Sequence, residues 1–300
     1  MHLIIGVLIF CLANVCEGSK AWDYSDTSKW KNDYPKCGGS KQSPINIVNP
    51  KCDKSLNNSI TFTKYESAGS SKFKLTNNGH SLQLSTSSTG ASIKLGSLGT
   101  FKLEQVHFHW GNSKSQGSEH ELKGKTFPAE MHMVHYDSKY ASLAIAAPKF
   151  DGLAVLGVFI AVGNNNPTFD KFLNFATNVT QNGSSVDIAP FKMEDLLPEN
   201  KNSLYRYRGS LTTPPCYESI AWTVFDQKIQ ISEAQLAKFR TLKDSHGKTL
   251  QNNFRPPQAL NGRKITYWNN TKCSVDDSGV AALGGSVFTA LVSLLLFAVL

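Results

Sequence analysis

Five of the eight histidines in this chain fall between residues 107 and 135, and three of those five are spaced to hold a metal. His107 and His109 stand two apart in Gln105-Val106-His107-Phe108-His109-Trp110. His132 follows in Ala129-Glu130-Met131-His132-Met133-Val134-His135. Residues two apart on an extended strand share a face, so the first two imidazoles converge, and a third from a neighbouring strand completes a three-nitrogen face. Three neutral imidazoles with a vacant fourth position suit a tetrahedral catalytic zinc, whereas structural zinc sites are closed and rich in cysteine. Gln105, on the face of His107 and His109, and Glu130, on the face of His132, are placed to take the second ring nitrogens. Phe108 and Trp110 point the other way and read as core. A lone H-x-H pair also occurs on solvated strand faces and as a surface metal scavenger, so the motif by itself leaves both readings open.

The elements that must carry these residues are mostly strands. Ser81-Leu82-Gln83-Leu84, Ser92-Ile93-Lys94-Leu95 and Phe101 through His109 alternate with period two, the pattern of half-buried strands. Helical patterning is sparse. Phe169, Phe172, Leu173 and Ala176 mark one amphipathic helix. Ser232 and Gln235 form a capping-box pattern ahead of Leu236, Phe239 and Leu242 and mark a second. A hydrophobic content of 40% is ample for a sizeable core, and neither an internal repeat nor a long Pro/Gly/Ser linker divides the chain before its C-terminus. The expectation is one strand-rich domain with peripheral helices.

Both ends read differently. Leu3 to Leu12 is an apolar run that ends near small residues, the shape of a signal peptide spanning residues 1–18, with a buried N-terminal strand as the competing reading. At the other end, residues 269–279 read as a short stalk and 280–300 as an apolar terminal segment. A small-residue site, a spacer and a greasy tail are the pattern of a GPI-anchor signal, with Ser278 as the expected attachment residue and Gly279 and Ser274 as rivals. The competing reading is a transmembrane helix. The continuous tail from Val287 to Leu300 is short of the ~20 residues a bilayer core requires.

An exported chain would lose Cys11 and Cys16 with its signal. Cys37, Cys52, Cys216 and Cys273 would remain, with three possible pairings. Sequons at Asn57, Asn178, Asn182 and Asn269 fit a glycosylated extracellular surface. The formal charge of +8 becomes +9 without Glu17, since residues 1–18 hold no Lys or Arg. These cations are scattered rather than clustered, so they read as a solvated surface and no nucleic-acid partner is expected.

Gln105-Val106-His107-Phe108-His109-Trp110-Gly111, Gly117-Ser118-Glu119-His120 and Ala129-Glu130-Met131-His132 together resemble the signature of the α-class carbonic anhydrases of the extracellular type. Gln42-Ser43-Pro44-Ile45-Asn46-Ile47, Asn77-Asn78-Gly79-His80 and Ser210-Leu211-Thr212-Thr213-Pro214-Pro215-Cys216 extend the likeness, as do Trp222 and Asn253-Phe254-Arg255-Pro256. The match runs in register from about Trp22 to about Tyr267. It implies a catalytic domain over residues 19–268, mainly β (α+β), with a large, twisted, mostly antiparallel central sheet and short peripheral helices.

Function follows from the same resemblance. It implies reversible hydration of CO2 to bicarbonate and a proton by zinc-bound hydroxide, with Zn2+ on His107, His109 and His132. Thr212 and Glu119 would orient the nucleophile and Thr213 would contact substrate. Val134, Val155, Leu211 and Trp222 would form the CO2 pocket. His80 would shuttle protons through a network including Tyr24, Asn78 and Gln83; Gln83 stands where fast members often carry asparagine. His120 and His135 match structural positions, and His246 receives no role. A Cys37–Cys216 bridge is implied, leaving Cys52 and Cys273 as a further pair. The expected partners are CO2 and bicarbonate, the membrane through a lipid anchor at the outer face of the plasma membrane, and bicarbonate transporters. The alternative is a catalytically silent carbonic-anhydrase-like binding or adhesion domain. Such members typically lose a zinc histidine, and this chain keeps all three. A peptidase is disfavoured because no H-E-x-x-H motif is present.

Overall fold

The hydrophobic phase of the strand Thr100–Trp110 slips once along its length. Phe101 and Leu103 are buried, and then Val106, Phe108 and Trp110, a step of three where two would continue the pattern. A computed structural model describes residues 20–273 and shows the cause: a β-bulge between Leu103 and Gln105. The extra residue returns the apolar side chains to one face and turns Gln105, His107 and His109 to the other.

Beside it runs the antiparallel strand Ala129–Asp137, in a register that sets His107 opposite His132, His109 opposite Glu130 and Gln105 opposite Val134. Leu153–Val162 pairs next, placing Gly157 by His132 and Val155 by Val134. Ile220–Phe225 follows in parallel, with Trp222 opposite Val155. Opposed residues share a face, so the metal-site candidates and the apolar pocket candidates emerge on the same side of the sheet.

These four strands are the middle of a 13-stranded sheet. It continues outward through Leu82–Ser85, Phe73–Asn77 and Ser185–Ile188 on one side. On the other come Leu204–Gly209, Thr266–Trp268 and Lys51–Cys52. Most ladders are antiparallel; the exceptions lie where Leu153–Val162 meets its neighbours Ile220–Phe225 and Ile229–Ile231, and at the Lys51–Cys52 edge.

Across the sheet from the site lies the aromatic core. Phe108 packs on Phe172 and Phe239, each 5.2 Å between ring centroids, and Trp110 packs on Phe239 at 5.0 Å. The two helices supplying these rings are Pro167–Leu173 and Glu233–Phe239. Ser232 and Gln235 close the capping box foreseen for the second helix. The buried Gln235 amide also donates to the Asn166 carbonyl and to Asp170, so one side chain joins both helix starts. Ala176, expected to prolong the first helix, lies in a separate 3-10 turn, Ala176–Val179. Leu242 is buried just beyond the second helix.

Disulfides join Cys37 to Cys216 and Cys52 to Cys273. The second bridge, with the short helix Asn270–Cys273, carries the packed chain past residue 268 and takes up the first part of the expected stalk. The expected signal peptide, Ser278 and the apolar tail lie outside the described residues.

His135 illustrates how the core face treats a polar group. Its ring is fully buried, bonded to the Tyr65 hydroxyl and the Ala154 carbonyl, and burial lowers its pKa to about 3. The unfolded chain takes up a proton near pH 6.5 while the native ring refuses it down to about 3. This residue's contribution is therefore whole above pH 6.5 and is lost as pH falls towards 3. Across that window, His135→Gln should flatten the pH dependence of urea-measured stability by up to about 1.4 kcal/mol per pH unit. An unchanged slope would show that His135 is not the group responsible. Phe108→Ala should cost about 3–5 kcal/mol in the same unfolding experiment, because it empties the centre of the aromatic cluster.

Candidate metal centre

Each of the three histidines has one ring nitrogen tied down and the other turned inward. His107 Nδ1 donates to Gln105 Oε1 at 2.8 Å, and His109 Nδ1 donates to the Asn253 carbonyl at 2.7 Å. His132 Nε2 donates to Glu130 Oε1 at 2.7 Å. The remaining atoms are His107 Nε2, His109 Nε2 and His132 Nδ1, and the candidate ligand atoms of the three residues lie within 4.8 Å of one another. His109 Nε2 is buried with no hydrogen bond, although Glu119 Oε2 stands 3.3 Å away. Burial holds all three imidazoles below their ordinary pKa, His109 at about 3, so they are neutral near pH 7. A cluster of neutral, pre-oriented, inward-facing nitrogens fits a divalent zinc with nitrogen ligands.

Glu130 anchors this arrangement. Its Oε2 accepts the N–H groups of Glu119 and His120 at 2.9 and 2.8 Å, and its Oε1 accepts from His120 Nδ1 and His132 Nε2. Burial pushes the carboxyl pKa up, but the two imidazoles outweigh it and hold Glu130 well below the usual carboxylate range.

The hydrogen bonds run on from there. His120 Nε2 meets the Tyr207 hydroxyl at 2.6 Å, and that hydroxyl meets Ser43 Oγ at 2.9 Å. Ser43 Oγ accepts the Ser210 N–H at 3.0 Å. Every member of this hydrogen-bonded chain is satisfied if Ser43 donates to Tyr207, Tyr207 to His120 and His120 to the Glu130 carboxylate. It leads from a metal-ligand candidate to the start of the Thr212 loop. A Cβ on Gly209 would sit 2.2 Å from Ser43 Oγ, so the bare glycine is what lets this chain close.

Thr212 is buried and Thr213 half-buried in that loop. Burial raises the pKa of Glu119, opposed by hydrogen bonding from the Thr212 side chain and the Arg255 N–H. Arg255 is itself buried, and its guanidinium donates to Gln42 Oε1 and to the carbonyls of Ser43 and Cys37. The Cys37–Cys216 bridge crosses to the same loop. Val134, Val155 and Trp222 are buried beside the histidines and Leu211 is half-buried. The Trp222 ring stands 4.8 Å from that of His132.

His80 stacks on Trp22 at 3.8 Å in a turn outside the three-histidine cluster. Asn78 reaches Gln83 at 3.4 Å, and Gln83 is registered opposite His107, so these two network residues connect with the ligand strand. The Tyr24 hydroxyl is buried without a hydrogen bond among the described residues. Asn57, Asn178 and Asn182 are exposed. Asn269 is half-buried, its amide donating to Ser203 Oγ and its carbonyl oxygen capping the last helix.

Asn253 was the residue whose role the sequence concealed. Its backbone carbonyl holds His109, its Oδ1 takes the Trp110 N–H, and its Nδ2 donates to the carbonyls of His80 and Phe108. No spacing rule announces a ligand support supplied by a backbone carbonyl 144 residues away. Tyr207 and Gly209 are of the same kind; the alternation of Leu204–Gly209 shows which face they occupy but not what waits there.

Comparison with known proteins agrees with this geometry. The family model for eukaryotic-type carbonic anhydrases matches residues 25–269. The chain is 38% identical over 291 residues to carbonic anhydrase 12 of Homo sapiens, spanning 93% of this chain and 81% of that protein. It is 36% identical over 274 residues to human carbonic anhydrase 6, 88% of each. With human carbonic anhydrase 7 the identity is 38% over 263 residues, 83% of this chain and 97% of that one. A matched family over most of the chain, with three inward imidazoles suited to zinc at its centre, makes this protein a member of the eukaryotic-type carbonic anhydrases.

Proposed function

We propose that the chain catalyses the reversible hydration of CO2 to bicarbonate and a proton, with zinc held by His107, His109 and His132. The observation that carries this reading is the state of the three rings: each outer nitrogen is hydrogen-bonded, and each inner one is left facing its fellows. Zinc bound there supplies a Lewis acid that brings a coordinated water's pKa into the neutral range, chemistry for which carbonic anhydrase is itself the standard example.

The protein's own groups do the rest. Thr212, its hydroxyl proton directed to Glu119, turns lone pairs towards the centre and accepts from the attacking water, which aims the water's free lone pair at carbon. Val134, Val155, Leu211 and Trp222 offer CO2 a carbon-lined wall. That wall suits an apolar substrate and holds an anionic product poorly. Thr213 supplies a hydroxyl to the substrate. His80 accepts the released proton by way of the Asn78–Gln83 side and Tyr24, and returns it to solvent; its unperturbed pKa of ~6.5 lies near working pH.

An extracellular, membrane-tethered setting completes the proposal. Two disulfides support an oxidising compartment, and exposed Asn57, Asn178 and Asn182 support glycosylation. The leader at 1–18 and the anchor at Ser278 rest on sequence pattern. In that setting the enzyme would exchange bicarbonate with nearby bicarbonate transporters.

His107→Ala should lower zinc content and CO2 hydration together. The loss should exceed the roughly 10–100-fold that Gln105→Ala, an outer support, should cost in metal affinity. Near-normal hydration with His107 absent would overturn the ligand assignment. His80→Ala should lower kcat in weak buffer, leave kcat/KM unchanged and recover with added imidazole; an unaffected kcat would exclude His80 as the shuttle.

A further inference from the structure

A cavity of about 320 Å³ opens beside His80, lined by Asp23, Tyr24, Asp244 and His246 among others. We propose that His246 is a second proton-relay residue, receiving across this cavity the protons that reach His80 and releasing them to solvent. The inference rests on the shuttle role given to His80 above and extends it by one station.

Asn77 fastens together the two turns that carry these histidines. Its Oδ1 accepts the Gly79 N–H at 2.9 Å, shaping the turn before His80. Its Nδ2 donates to the carbonyls of Thr180 and Lys243, both at 2.9 Å, the latter at the root of the second turn. Asp244 then folds that turn tightly, its Oδ1 accepting the N–H groups of His246 and Lys248, each at 2.9 Å. The two imidazoles are thus borne on turns joined through Asn77, and both line one cavity.

The charges facing that space are Asp23, Asp244 and Lys248, two carboxylates against one ammonium. Ser25 fixes the Asp23 carboxylate through its N–H at 2.8 Å and its hydroxyl. Those hydrogen bonds lower the Asp23 pKa most, and the nearby His246 and His80 lower it further. Burial lowers the pKa of His80, while Asp23 and Asp244 pull it back up, so the fixed acids favour a transient charge on the ring. The cavity has room for several water molecules at ~30 Å³ each.

The transfer balances. His80 imidazolium gives one N–H proton to cavity water, and the water chain delivers a proton to the neutral ring nitrogen of exposed His246. His246 imidazolium then yields that proton to buffer, and both rings end neutral.

Stopped-flow CO2 hydration by the zinc-loaded full chain tests this. His246→Ala should lower kcat in weak buffer by about 2–10-fold, below the ~10²-fold or more of a direct general acid, because solvent offers a parallel exit. kcat/KM should stay level, concentrated imidazole should restore kcat, and Asp23→Asn should reproduce part of the loss. If His80→Ala is slowed in weak buffer but His246→Ala matches the parent, the relay is overturned and the His80 shuttle stands. If neither variant is slowed, the shuttle reading fails and takes the relay with it.

Discussion

A single buried carboxylate, Glu130, holds the centre of this structure together. An ionised carboxylate in the interior is costly unless its lone pairs are filled, and Glu130 fills them with two backbone N–H groups and two imidazoles. One of those imidazoles is His132. The other, His120, leads through Tyr207 and Ser43 to Ser210 and so to the loop carrying Thr212. The orientation of a metal-ligand candidate and the seating of the loop above it are therefore one hydrogen-bonded unit. Networks of this sort are favourable only when complete, which accounts for the bare Gly209 against Ser43.

A second clamp reaches the same loop from another side. Arg255 donates its backbone N–H to Glu119 and its guanidinium to the Gln42–Ser43 segment and the Cys37 carbonyl, while Cys37 is bonded to Cys216 beyond Thr212. The loop carrying Thr212 and Thr213 is held through Ser210, through Cys216 and, by way of Glu119, at Thr212 itself. Closing a loop of this length by a disulfide restricts the unfolded chain, and here it also restricts the site. Asn253 serves the other wall, joining His109, Trp110, Phe108 and His80 through one amide and one carbonyl. The bonds that brace the sheet also orient the candidate ligands, an arrangement that would hold their geometry ready for a metal.

The sequence by itself determined a good deal. The H-x-H spacing, with Gln105 and Glu130 at even offsets, specifies which side chains share a face because strand period is two. The alternation of Leu82, Leu84, Ile93 and Leu95 and the Ser232–Gln235 box located strands and a helix start from local stereochemistry alone. The even alternation read over Phe101 through His109 is broken between Leu103 and Val106, a bulge that only the ladder reveals. Tertiary structure decided the rest, because register and long-range closure depend on partners that no local pattern names. It put His132 opposite His107, brought the Asn253 carbonyl to His109, paired Cys52 with Cys273, and set His80 and His246 on the walls of one cavity. Local energetics choose an element; which distant backbone group satisfies a buried polar atom is settled only when the whole sheet closes, since each such group must find a partner or pay for its desolvation.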